Sequence, residues 1–261
     1  MRKTTLLLIA LLLMGALPSH AASAKKGVNA ADDPGPAGAA MSALDARWYY
    51  TWASDRRGIQ SGAEFVPMIW GERSVTDTEL TNAKANGRQL LGFNEPDMAG
   101  QANMTVERAL DLWPRLQGTG LRLGAPAVAY GGDVAGGWLD RFMAGAQARN
   151  LRVDFIPIHW YGQDFSSAAT GHLESYLRNV HNRYRKPIWL TEYALIDWRS
   201  GRAVYPSEQQ QNAFITASTR MLDGLSFVER YSWFTLSTKT SPTGLSTGTS
   251  LTSAGRAYQA A

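Results

Sequence analysis

Leu90-Leu91-Gly92-Phe93-Asn94-Glu95-Pro96-Asp97 is a short apolar run that ends abruptly in a polar turn. Its first residues suit a buried strand, and Asn, Pro and Asp are turn formers. Pro187-Ile188-Trp189-Leu190-Thr191-Glu192-Tyr193 has the same form, a strand-like run closed by a glutamate. Working outward, similar runs occupy 27–30, 48–52, 65–70, 121–127, 153–161 and 227–236. Each is rich in aromatic or β-branched residues and bounded by Gly, Pro, Asn or Asp. That makes eight strand-like runs.

The intervals between them read mostly as helices. Thr76 with Glu79 and Ser207 with Gln210 form capping boxes, and Gly87 is a plausible stop. Glu107–Leu116 carries Leu110 and Trp113 on one side, with Pro114 as an expected kink. Trp138, Leu139, Phe142, Met143 and Ala146 follow helical spacing, as do Leu173, Tyr176, Leu177, Val180 and Tyr184. A last short helix is expected from Ser253. The second and third runs are joined by a loop without a clear helix, and Ser237–Ser250 reads as an exposed loop. Strands alternating with helices predict an α/β fold, a (β/α)8 TIM barrel forming a single domain over 25–261. A doubly wound open sheet competes, but no Gly-rich dinucleotide fingerprint follows any strand.

Composition narrows the chemistry. The 261 residues contain no cysteine and four histidines, which excludes disulfide scaffolds, thiolate zinc sites and cysteine nucleophiles. Arg2 and Lys3 precede the apolar run Leu6–Leu17 and then small residues through Ala24, the pattern of a signal peptide over 1–24. The run is shorter than the roughly 20 residues that span a bilayer. Cleavage is expected between Ala21 and Ala24, giving an exported protein, secreted or periplasmic, with no stable membrane insertion. The mature chain then holds 24 bases against 22 acids, and no basic stripe, so a nucleic-acid partner is not expected.

Barrels of this kind carry reactive groups at the C-terminal ends of their strands. Of nine glutamates, only Glu95 and Glu192 close a strand at that end, whereas Glu64 and Glu229 sit near strand starts. Two carboxylates on one rim are the minimum apparatus for hydrolysing a glycosidic bond. Alternation places Ile188, Leu190 and Glu192 on one face, with Trp189 assigned to the layer under the helices. Trp52, Trp70, Trp160 and Trp233 lie at or near strand ends, and Trp138 follows the fifth, as stacking surfaces for sugar rings. His159 and Tyr161 share a parity toward the site. No His-x-His pair suggests catalytic zinc, and no Gly-x-Ser-x-Gly elbow suggests a serine hydrolase.

The ordered pieces KKGV, WYYTW, FVPMIWG, LLGFNEPD, HWYG, PIWLTEYA and RYSWF resemble glycoside hydrolase family 128. That family consists of β-1,3-glucanases on the clan A barrel, and the likeness runs from about Lys25 to Tyr258. The resemblance implies that Glu95 is the general acid/base, Glu192 the nucleophile and Asn94 the group holding the substrate 2-hydroxyl. It matches Tyr161 to the sixth-strand tyrosine and Trp233 to the eighth-strand tryptophan under the scissile sugar. The implied reaction is retaining cleavage of β-1,3-glucan, endo-acting, by a monomer that needs no metal or cofactor. Retention requires carboxyl groups about 5–5.5 Å apart, against about 6.5–9.5 Å for inversion. Other readings are a β-glucan-binding protein without catalysis, a clan A hydrolase of another β-glycan, and a structural protein of the cell envelope.

Overall fold

The computed structural model describes residues 23–31 and 33–261. The expected signal segment therefore lies, apart from Ser23 and Ala24, outside the described residues. Eight parallel strands follow in order: β1 (Lys26–Asn29), β2 (Trp48–Tyr50), β3 (Glu64–Phe65), β4 (Gln89–Leu90), β5 (Arg122–Leu123), β6 (Ile156–Gly162), β7 (Ile188–Leu195) and β8 (Val228–Trp233). Neighbours pair from β3 through β2 and β1 to β8, β7 and β6, and β4 pairs with β5. Single bridges, Met68 with Leu91 and Gly124 with Phe155, join β3 to β4 and β5 to β6, closing the barrel. Regular pairing is brief in β3, β4 and β5 because Pro67, Gly92, Gly124 and Pro126 interrupt their runs.

Helices cover the outside: α1 (Pro34–Ala43), α2 (Asp77–Asn86), α3 (Val106–Gln117), α4 (Trp138–Ala148), α5 (Ala169–Tyr184), α6 (Glu208–Gly224) and α7 (Ser253–Gln259). Ser207 caps α6 reciprocally with Gln210, and the Thr76 hydroxyl caps α2. Helix α1, PGPAGAAMSA, was not expected; small residues without a polar–apolar rhythm give no periodic signal. Between β2 and β3 the chain runs as a loop, as the sequence implied.

Two apolar clusters separate the barrel's inside from its outside. The inner one contains Trp48, Tyr50, Val66, Met68, Leu91, Phe155 and Trp189, all on or beside strands and none from a helix. The larger one joins the other strand faces to the helices. Inner aromatic rings leave little room: a Cβ on Gly27 would meet Trp48 at 2.3 Å, and one on Gly124 would meet the Phe155 ring at 2.6 Å. Each buried aromatic removes about 150–250 Å² from water, about 4–6 kcal/mol before entropy is subtracted.

The strand parity expected at β7 needs correction. Trp189 points into the barrel, stacking on Phe155 at 4.2 Å, whereas Ile188 and Leu190 pack against the helices. Thr191 is an extra residue in the β6 pairing, since Ile158 opposes Leu190 and His159 opposes Glu192. This bulge resets the alternation, so Glu192 still turns inward. The Ser237–Ser250 segment also differs from the expected exposed loop. Ser237, Ser241, Thr243, Leu245 and Ser246 are buried, and the segment leads into a two-strand hairpin, β9 (Ser246–Thr247) and β10 (Ser250–Leu251). Hydroxyl-to-backbone bonds satisfy its polar groups, including Thr243 Oγ1 to Phe234 O at 2.5 Å.

Candidate active site

The C-terminal mouth of the barrel opens into a cavity of about 770 Å³. Its lining includes Glu95, Glu192, Asn94, His159, Tyr161, Trp52, Trp70 and Trp160, eight of the ten residues picked out in the sequence. Glu192 lies on β7, His159 and Tyr161 on β6, and Glu95 just past the fourth strand's run.

Glu192 accepts from three donors, Tyr50 on β2, Trp52 just past it and Tyr161 on β6. Trp52 Nε1 lies 2.8 Å and the Tyr50 hydroxyl 3.1 Å from Oε1, and the Tyr161 hydroxyl donates to Oε2. An acceptor-only group is what an ionised carboxylate offers. Burial and the Glu192 charge push both tyrosine hydroxyls well above the ordinary tyrosine value, so each remains a donor. Tyr50 was not anticipated, although Trp48, Tyr50 and Trp52 share one face of an alternating run.

Glu95 sits in a left-handed backbone conformation, φ 46°, unusual for a residue with a side chain. Neighbours hold the turn: Glu95 N donates to Ala127 O at 2.7 Å, Met98 N to Glu95 O at 3.1 Å and Asn94 N to Trp70 O at 2.8 Å. Trp52 is also left-handed, φ 56°. Strained backbone at both positions fits a site whose side chains must be aimed.

His159 lies between the carboxylates. Its Nδ1 is 2.7 Å from Glu95 Oε1 and 3.6 Å from Glu192 Oε2. Burial opposes a charge on its ring, but the two carboxylates, Glu192 foremost, outweigh it and raise its pKa above the usual imidazole value. Glu95, His159 and Glu192 each offer an atom within 4.8 Å of the others, a spacing that could also suit a cation. The donor set argues for hydrogen bonding instead, since three N–H and O–H groups already address Glu192. Asn94 Nδ2 donates to Gln101 Oε1 at 3.3 Å, while Asn94 Oδ1 is buried and unpartnered beside the cavity.

Two expected platforms are not in the cavity wall. Trp138 opens α4, donates to Met104 O at 2.8 Å and stacks on Phe142 at 5.6 Å, so it is a packing residue. Trp233 has no exposed surface; its Nε1 donates to Thr243 O at 2.9 Å, and its ring meets Tyr193 edge-on at 5.0 Å. It faces the helices, and the next residue, Phe234, lines the cavity against Tyr161 and Trp52. Tyr176, expected to be packing alone, also reaches the lining, as do Tyr130 and Trp198.

Comparison with known proteins places this geometry among relatives. The family profile described as glycosyl hydrolase catalytic core matches residues 30–258. A solved endo-β-1,3-glucanase of family 128, subgroup I, from Amycolatopsis mediterranei is 64% identical. It superposes with a TM-score of 0.90 over 92% of this chain and 100% of its own, and was solved as a glutamate-to-glutamine variant with laminarihexaose. A subgroup II endo-β-1,3-glucanase from Sorangium cellulosum is 26% identical, TM-score 0.74, over 90% of this chain and 97% of its own. A subgroup III curdlan-specific exo-β-1,3-glucanase from Blastomyces gilchristii, solved with glucose, is 28% identical, TM-score 0.71, over the same shares. Alkali-sensitive linkage protein 1 of Schizosaccharomyces pombe is 34% identical over 74% of this chain, which spans about a third (35%) of that relative. With the glycosyl hydrolase profile matched over nearly the whole barrel and a family 128 enzyme 64% identical along its full length, the chain belongs to glycoside hydrolase family 128.

Proposed function

We propose that this protein is an exported endo-β-1,3-glucanase that cleaves laminarin- or curdlan-type glucan with retention of configuration. The observation that carries the reading is the carboxylate pair. Oxygens of Glu95 and Glu192 approach within 4.8 Å on an aromatic-walled cavity, and neither has a Lys or Arg partner among the described residues. That approach suits a direct attack on carbon and favours the roughly 5–5.5 Å spacing of a retaining pair over the roughly 6.5–9.5 Å of an inverting one. The glutamates replaced in the Amycolatopsis structures have the same separation in sequence as Glu95 and Glu192, which supports the assignment.

Glu192, held by Trp52, Tyr50 and Tyr161, attacks the anomeric carbon. Protonated Glu95 gives its proton to the glycosidic oxygen as that bond breaks, and a covalent glycosyl–enzyme ester forms. Glu95, now a carboxylate, takes a proton from water. The hydroxide oxygen attacks the same carbon, and Glu192 leaves as carboxylate. His159 orients Glu95 throughout, and Asn94 Oδ1 is placed to receive a substrate hydroxyl. Trp52, Trp70, Trp160 and Phe234 offer flat surfaces to sugar C–H faces. The partner is a β-1,3-glucan or its oligosaccharides, and the enzyme works as a monomer without cofactor. The 1–24 segment supports export; among the described residues no helix is long and apolar enough to cross a membrane.

The test is reducing-sugar release and product sizing on laminarin and curdlan. Mixed oligosaccharides from the outset are expected. Glucose as sole product would make the enzyme exo-acting, and glucan binding without release would make it a binding protein.

A further inference from the structure

The loop after β5, residues 128–137, is fastened at three places. Asp97 accepts from Ala129 N at 2.8 Å with one oxygen and from Tyr130 N at 3.2 Å with the other. At Gly132, the Tyr176 hydroxyl accepts from the N–H at 3.2 Å and the Tyr184 hydroxyl donates to the carbonyl at 2.9 Å. Arg183 Nε donates to Asp133 O at 2.9 Å. On this pinned backbone Tyr130 is 61% exposed, lines the cavity and stacks on no other ring among the described residues. Trp198, on the loop after β7, is 44% exposed and lines the same cavity. Its loop is closed by reciprocal backbone bonds of 2.9 and 2.8 Å between Asp197 and Val204.

Large exposed rings on fastened loops are poor packing residues and good binding ones, because their ordering cost is already met before a ligand arrives. Neither ring is bonded to Glu95 or Glu192, which separates them from Trp52. We propose that Tyr130 and Trp198 are the stacking platforms for glucose units beyond the pair at the scissile bond, and so set the length of glucan the cleft grips. Asp97 is the positioning residue that presents Tyr130. The proposal rests on the β-1,3-glucan reading above.

The test is calorimetric titration of the full chain with laminaribiose and laminarihexaose, in a Glu192→Gln background so that ligand survives. Tyr130→Ala and Trp198→Ala are each expected to weaken hexaose binding about tenfold, or about 1.4 kcal/mol, and to change binding of the biose, which fills only the pair at the scissile bond, much less. Tyr130→Phe keeps the ring and should retain wild-type affinity. Equal losses for both lengths, or no loss for hexaose, would overturn the proposal. Turnover of laminarin by the unmodified chain is followed alongside. Its absence with binding intact removes the hydrolase reading, and the binding comparison still decides the platforms.

Discussion

The two ends of the barrel use the same residue types for opposite purposes. At the N-terminal end Glu64 pairs with Arg230 at 2.6 Å and Glu229 with Arg122 at 2.8 Å. Trp189 Nε1 donates to Glu229, and the Arg230 guanidinium lies 4.4 Å from the Trp189 ring and 5.5 Å from that of Trp48. Arg122 and Trp189 hold Glu229 below the usual carboxylate range, although burial works against them. At the C-terminal end the acids meet tyrosines, a tryptophan and one histidine, with no Lys or Arg partner among the described residues. A carboxylate paired with arginine is finished electrostatically, whereas one held by tyrosine, tryptophan and histidine donors remains free to take a carbon or a proton. Exposure follows the same division, the Glu64 and Glu229 side chains being 35% and 38% exposed and those of Glu95 and Glu192 9% and 6%.

The largest expected effect at the upper end is on turnover. Glu95→Gln should lower kcat on laminarin by about 10²–10⁴-fold with the fold kept, read by steady-state rates and circular dichroism. Tyr161→Phe removes one donor to a charged acceptor, worth about 1.5–3 kcal/mol; a kcat loss of about 10–10²-fold is expected, with KM little changed. At the lower end Arg230→Met should cost about 1–3 kcal/mol in urea unfolding, the partial exposure of Glu64 holding it below a fully buried pair. Its activity per folded molecule should be unchanged. The smallest effect comes from His159, whose folded pKa lies above 6.5. Its charge stabilises the fold below about pH 6.5, and that contribution fades as pH rises through the raised value. Melting temperature should fall across that range, and His159→Asn should flatten the fall.

The sequence showed the barrel and its two glutamates because both depend on local patterns, short apolar runs ending in polar residues. What it hid depends on register. A one-residue bulge at Thr191 exchanged the faces of Trp189 and Leu190, and an adjacent-residue choice at β8 put Phe234, not Trp233, in the cavity. Polarity also misled at 237–250, where hydroxyls satisfied by backbone groups allow burial. Tyr130 and Trp198 follow strands at a distance, on loops whose shape no strand-end rule supplies.

The most direct test of the contrast is a crossed pair of variants, Glu192→Gln and Glu229→Gln, each measured for laminarin turnover and for unfolding free energy. The account predicts that Glu192→Gln loses turnover while remaining folded, and that Glu229→Gln loses stability while the folded fraction keeps its rate. Full turnover by a folded Glu192→Gln, or an inactive but fully stable Glu229→Gln, would contradict it.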